Sequence, residues 1–136
     1  MLPAVDPVDA KEVAKAKLKA SSASPRDLAQ TKLEAARWAY LARERNLLAG
    51  MGTLDILLED ACRVLDSELA LADRAADRRA ALEKYWLCTA RTEEVYRLRH
   101  EAGRVAIQDY LQSRYFRLDA EIRLAEVQTK RAPKEK

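Results

Sequence analysis

The sequence predicts an all-α fold. The expected architecture is two tandem antiparallel helical hairpins, up-down-up-down and coiled-coil-like, plus a short N-terminal helix. Three observations predict it. Only 3 glycines and 4 prolines interrupt 136 residues, and 35% of residues are charged, a mixture that favours long amphipathic helices over strands. Gly50 and Gly103 fall where long helical patterns stop. Between the stops, apolar residues recur at the 4-3-4-3 spacing of a coiled-coil seam.

The elements follow in order. Asp6-Pro7-Val8-Asp9 is a helix start: a capping acid, proline at the first helical position, and an acid in the first turn. A short polar helix to about Lys19 follows, with mostly alanine on its apolar side, and Ser21–Ser24 links it to the rest. Ser24-Pro25-Arg26-Asp27 repeats the start signal. The first long helix then runs to Ala49, with a small-residue stripe at Leu28, Ala35, Ala39, Ala42 and Ala49, widened by Leu33, Trp38, Tyr40 and Leu47. Gly50 ends it, because glycine takes the left-handed conformation after a helix without penalty. Thr53 caps the second long helix, and Asp55 faces its positive end. Leu58, Cys62, Leu65, Leu69 and Ala72 form its seam.

No glycine or proline lies between Thr53 and Gly103, so one continuous helix is the alternative there. Phase argues for a break. Extending the seam beyond Ala72 lands on Ala76, Arg79 and Glu83, whereas the next apolar seam is Ala81, Tyr85, Cys88, Thr92, Val95 and Ala102. A break at Asp73–Asp77, with either acid capping the third long helix, restores both seams. Gly103 ends that helix. The fourth runs from about Ala106 to Thr129 with its seam at Leu111, Tyr115, Leu118, Ile122 and Ala125. The organisation is therefore residues 1–23 as a tail with a short helix, and 24–129 as the hairpin bundle, divided into 24–73 and 77–129. Residues 130–136 form a basic tail expected to be disordered.

The second and fourth long helices align without a gap at an offset of 53 residues, Gly50 falling on Gly103. Leu65–Asp73 falls on Leu118–Glu126 with matching residue types at the seam. The chain thus reads as two copies of a helix–tip–helix unit. Each unit has an apolar seam that one hairpin cannot cover, so the second hairpin or another protomer must cover it.

Composition excludes several classes. The charge of +3 is small against 25 basic and 22 acidic residues, which reads as solvated helix faces rather than the one-sided basic stripe that nucleic acid needs. The longest uncharged run, Asn46–Leu54, is far short of the ~20 apolar residues of a membrane span. The first six residues lack the basic and apolar regions of an export signal. Adjacent acids such as Glu59/Asp60 and Glu93/Glu94 read as solvated pairs. No nucleophile triad, phosphate-cradling loop or metal-ligand spacing is present, so no enzyme activity, cofactor or metal is expected.

The tip sequences carry a resemblance. Gly103-Arg104-Val105-Ala106-Ile107-Gln108-Asp109 resembles the helix–turn–helix tip of the TolC family of outer membrane efflux proteins, Gly-x-x-(Ser/Thr/Ala)-(hydrophobic)-x-Asp, which occurs twice per chain in that family. Gly50-Met51-Gly52-Thr53-Leu54-Asp55 matches it less fully, its acid one place early. The helix after the second tip, Leu118–Ala125, also looks like the family's. The likeness covers roughly residues 33–128, the hairpin module alone. Family members are several times longer and carry β-strands, and no alternating strand pattern occurs here.

The resemblance implies a non-enzymatic interaction module whose tips dock on a helical partner in an export or efflux-type assembly. The implied contact residues are Gly50, Thr53 and Leu54 in the first tip, and Gly103, Val105, Ala106, Ile107 and Asp109 in the second. It implies a periplasmic or cell-envelope location where an export signal is supplied, and a cytoplasmic one otherwise. The residues alone equally describe a stand-alone coiled-coil protein that self-associates as a dimer or trimer. Neither path calls for nucleic acid or membrane insertion.

Cys62 and Cys88 lie equally far from Ala75, so a break there sets them level. They read either as a disulfide or as two small buried hydrophobes. His100, in the last turn before Gly103, reads as an exposed residue or a pH-sensitive element of the tip. Tyr85 and Tyr115 fall on seams and are expected in the core, while Trp38, Trp86 and Phe116 fall off them and are candidates for a second interface.

Overall fold

The computed structural model describes residues 7–20 and 22–131. Five helices follow one another: α1 (Pro7–Ala20), α2 (Pro25–Leu48), α3 (Leu54–Leu71), α4 (Ala75–Glu101) and α5 (Ile107–Arg131). There is no strand among the described residues. The helical start at Pro7 is as expected, while its capping Asp6 lies outside the described residues, as does Ser21 of the linker. The described side chains of α1 are all exposed, and none of the helix pairs that pack among the described residues includes it.

Helices α2 and α3 form the first hairpin, and α4 and α5 the second. The hairpins join where α3 packs on α4, with a lighter contact between α3 and α5. Side chains also bridge α2 and α4, as in the Arg91–Glu44 pair at 3.2 Å, whereas α2 and α5 do not pack together among the described residues; the row is thus folded about α3 and α4, with α2 and α5 outermost. One core runs through it, built from Tyr40 and Leu47 of α2, Leu57, Leu58 and Leu65 of α3, Leu82, Tyr85 and Tyr96 of α4, and Ala120 of α5.

Local signals account for most boundaries. Ser24 Oγ accepts the Asp27 amide at 3.1 Å, and Pro25 opens α2. The break comes at residues 72–74, as seam phase demanded, but neither acid caps it. Arg74 takes the N-cap position without a side-chain cap bond, while Asp73 pairs with Arg26 at 3.3 Å. Asp77 instead lies in the first turn of α4, where a negative charge faces the positive helix end. At the C-terminus α5 continues through Lys130 and Arg131, past the expected tail boundary. Residues 132–136 lie outside the described residues.

The 53-residue repeat extends to backbone detail. Helix α2 ends at Leu48 and α4 at Glu101. Gly50 has φ 84° and Gly103 φ 71°. The Gly50 amide donates to Leu47 O at 3.0 Å and the Met51 amide to Asn46 O at 2.8 Å. The Gly103 amide donates to His100 O at 2.9 Å and the Arg104 amide to Arg99 O at 2.8 Å. Both are the same paired-bond termination, which satisfies the last carbonyls of the helix through a left-handed glycine.

Two expected faces are turned outward. On α2 the buried residues are Leu33, Tyr40 and Leu47, while Leu28, Ala35, Ala39, Ala42 and Ala49 are exposed. On α5 the buried side chains are Ser113 and Ala120, with Tyr110, Phe116, Leu124 and Val127 partly buried against the core. The apolar seam faces solvent instead: Leu111 is 50% exposed, Tyr115 67%, Leu118 40% and Ile122 58%. Periodicity identifies an apolar face but not what covers it. Here α4 approaches α5 over the small Ser113 and Ala120 and across an ion pair, Arg117 Nε to Glu93 Oε2 at 2.5 Å. That leaves the bulky side outside. Tyr115 is therefore not a core residue, whereas Tyr85 is. Trp38, at 73% exposure, lies outside the core as expected, but Trp86 and Phe116 pack against it.

Candidate functional site

The two tips lie side by side at one end of the row and line a common cleft of about 600 Å³, which includes Gly50, Thr53, Leu54 and Asp55 from the first tip and Arg104, Val105 and Asp109 from the second. Their conformations derive from the chain order at each turn. A left-handed glycine stops the helix, a short extended stretch reverses the chain, and the next helix starts at Leu54 or Ile107. Gly52 adds a second left-handed residue in the first tip, at φ 83°. Thr53 holds the N-cap position with extended dihedrals but makes no side-chain cap bond. In the second tip the Ala106 carbonyl accepts from the Asp109 amide at 3.2 Å and the Tyr110 amide at 3.4 Å, so an alanine occupies the capping place.

Of the eight tip residues expected to make contacts, Gly50, Thr53, Gly103, Ala106 and Ile107 are exposed, and Val105 and Asp109 are half-buried. Leu54 differs from its repeat counterpart Ile107: it is buried in the core and holds the tip from beneath. No Cβ at Gly50, Gly52 or Gly103 would meet an atom within 4 Å, so these glycines answer to backbone φ alone.

Side chains that the sequence did not single out tie the tips together. Arg99 Nη2 donates to Leu47 O at 2.9 Å and Leu48 O at 3.3 Å. A cation from α4 thereby caps the negative end of α2. Its guanidinium carbon lies over the Tyr96 ring, 5.9 Å from the centroid. Gln112 Nε2 donates to Asp55 Oδ1 at 2.6 Å, linking α5 to the first turn of α3. These pairs are 52 and 57 residues apart, and only the fold brings them together. His100 is half-buried rather than exposed. Its ring stacks on Tyr110 at 5.8 Å, and Nδ1 faces Val105 O at 3.4 Å.

The known families add nothing to this geometry. No family model, curated protein or solved structure matches the chain.

Both cysteines are free and half-buried. Cys62 Sγ meets the Tyr85 hydroxyl at 3.5 Å, and Cys88 lies beside Tyr40. The helix break falls before Ala75, so Tyr85, about one turn ahead of Cys88, comes level with Cys62. Burial pushes the Tyr40 and Tyr85 hydroxyls well above the ordinary tyrosine range, with the neighbouring cysteine adding to the effect in each. Asp60 is buried on α3. Its Oδ2 lies 2.6 Å from Arg43 Nε, outside hydrogen-bond geometry, so this contact is an ion pair, and Arg63 adds a 3.3 Å contact to Oδ1. No cluster of three or more His, Cys, Asp or Glu side chains suited to a metal occurs among the described residues. No helix there is long and apolar enough to cross a membrane.

Proposed function

We propose that the chain is a non-catalytic helical interaction module that docks on a helical partner through its paired tips, in an export or efflux-type assembly. One observation carries this reading. The two tips stand at the same end, fastened by Arg99 and Gln112, with Gly50, Thr53, Val105 and Asp109 lining one cleft and Gly103, Ala106 and Ile107 exposed on the second tip. A surface already held in place loses little conformational entropy on docking. The likeness of both tips to the TolC pattern supplies the type of partner, a helical hairpin of the periplasmic-adaptor kind.

Isothermal titration against a purified adaptor hairpin tests it. Ile107→Asp places a charge at an exposed position of the second tip and should abolish binding while circular dichroism stays unchanged. Equal binding by wild type and Ile107→Asp refutes tip docking.

A second reading, a self-associating coiled-coil protein, is favoured by a separate observation. The outward seam of α5 exposes four large side chains in register, and contiguous apolar patches of this kind mark interaction surfaces.

A further inference from the structure

We propose that copies of this chain associate head to tail, the outer face of α5 in one copy seating on the outer flank of α2 in the next. The proposal rests on the self-association reading and is independent of the tips. It follows from the repeat, because the chain already contains one such interface.

That internal interface is α3 on α4. On α3 it uses the seam of Leu58, Cys62, Leu65 and Leu69, with Leu58 and Leu65 each 2% exposed. On α4 it uses Ala81, Tyr85 and Cys88, continued by Thr92, with Cys88 and Thr92 also bordering α2. Cys62 meets Tyr85, and Glu68 pairs with Lys84 at 3.7 Å. Moved by 53 residues, the α3 half of the interface becomes Leu111, Tyr115, Leu118 and Ile122 of α5. Moved back by 53, the α4 half becomes Leu28, Lys32, Ala35 and Ala39 of α2. Both halves therefore recur, and both are exposed. They lie on the two outer helices of the row, which do not pack on each other.

The chemistry of the two free faces matches. Inside the chain, small Cys62 opposes large Tyr85. Between copies, large Tyr115 would oppose the flank of Lys32, Ala35 and Ala39, so bulk and space exchange sides. A groove of about 430 Å³ already runs along this flank, between Lys32, Ala35 and Ala39 of α2 and Asp60, Arg63 and Ser67 of α3. Glu121 is the counterpart of Glu68, and Lys32 lies one residue from the counterpart of Lys84, so an opposite-charge pair is again within reach. The seam from Leu111 to Ile122 spans about three helical turns, at ~1.5 Å per residue. Such a contact is heterologous, so it builds a ring or an open series rather than a two-fold dimer.

Sedimentation velocity on the full chain and two variants tests this. Ile122→Glu blocks the α5 face, and Ala39→Glu blocks the α2 flank. Both positions are exposed, and unchanged circular dichroism and thermal melting verify folding. Leu111→Glu and Ala42→Glu serve as replacements. Wild type is expected to exceed the 15.4 kDa monomer mass increasingly with concentration, and each variant alone to stay monomeric. Mixed in equal amounts, the variants should form one species of twice the monomer mass, since each retains the face that the other lacks. A wild type that remains monomeric to near-millimolar concentration overturns the proposal and the self-association reading together. Self-association that survives in Ala39→Glu but not in Ile122→Glu overturns only the head-to-tail arrangement, as it means α5 pairs with α5. Failure of the mixed variants to combine also overturns it.

Discussion

Leu58 and Leu111 occupy the same place in the repeat and opposite environments, so truncating each measures what the fold does with one seam. Leu58 is 2% exposed and packed among Leu54, Leu57, Ala61 and Leu65 of the core; Leu111 is 50% exposed. Leu58→Ala removes buried carbon and leaves a cavity between two hairpins, which costs about 3–4 kcal/mol by analogy with other core leucines. Leu111→Ala removes side-chain surface that is already half in water, and costs roughly 0.5–1 kcal/mol. At roughly 3–5 °C per kcal/mol for a domain of this size, the first variant should melt about 9–20 °C below wild type, and the second within about 5 °C. Urea unfolding by circular dichroism, at a protein concentration low enough for wild type to be monomeric, gives both values. Comparable losses from the two substitutions would refute the outward assignment of the α5 seam, and with it the outermost place of α5.

Three further outcomes follow from the same contacts. Gly50→Ala and Gly103→Ala each put a Cβ on a residue with positive φ but free space around it; each should cost about 1 kcal/mol, net of the reduced freedom of the unfolded chain, read as a melting shift. Arg99→Ala removes the donor to Leu47 O and Leu48 O, and should cost about 1–2 kcal/mol while speeding amide exchange around the first tip more than around the second. Stability should also fall in alkali. The buried Tyr40 and Tyr85 keep their protons in the folded state, whereas unfolded tyrosine ionises near ~10. The folded values are raised, so the stabilisation is complete below that pH and declines above it, by up to ~1.4 kcal/mol per pH unit for each tyrosine. Urea midpoints above pH ~10 should therefore fall less steeply in a Tyr40→Phe/Tyr85→Phe double variant, and an unchanged slope would count against these two groups.

The backbone plan was legible because it depends on local chemistry. Gly50 and Gly103 mark the tips since positive φ selects glycine, Ser24 and Pro25 mark a helix start, and the phase slip after Ala72 locates a break that no glycine or proline announces. The choice of faces was not legible in the same way. A 4-3-4-3 seam states that something apolar should cover it, and on α3 that something is α4, while on α5 it is not part of the row. Alanines on α2 read as a close-packing stripe for the same reason. Arg99 and Gln112 left no local trace, since their partners lie on another hairpin and a polar residue near a helix end has many ordinary uses.

The repeat also raises a pairing problem that the buried charges address. Two similar hairpins could exchange helices, α2 pairing with α5 and α3 with α4 along the wrong faces. In the native hairpins the buried or half-buried ion pairs run in opposite senses: α2 supplies Arg43 to Asp60 of α3, whereas α4 supplies Glu93 to Arg117 of α5. The counterparts at the 53-residue offset are uncharged for all four residues: Ser113 for Asp60, Tyr96 for Arg43, Tyr40 for Glu93 and Val64 for Arg117. An exchanged α3·α4 hairpin would set Asp60 against Tyr96 and Glu93 against Val64, with no cation from the facing helix for either acid and only Arg63 of its own helix beside Asp60. An exchanged α2·α5 hairpin would set Arg117 against Tyr40. An acid left buried without its partner costs about 3–5 kcal/mol, which is a large part of a marginal stability. The native pairs need contribute little net energy to have this effect, because the penalty falls on the wrong pairing. Charge at equivalent places of the repeat thus distinguishes the two hairpins.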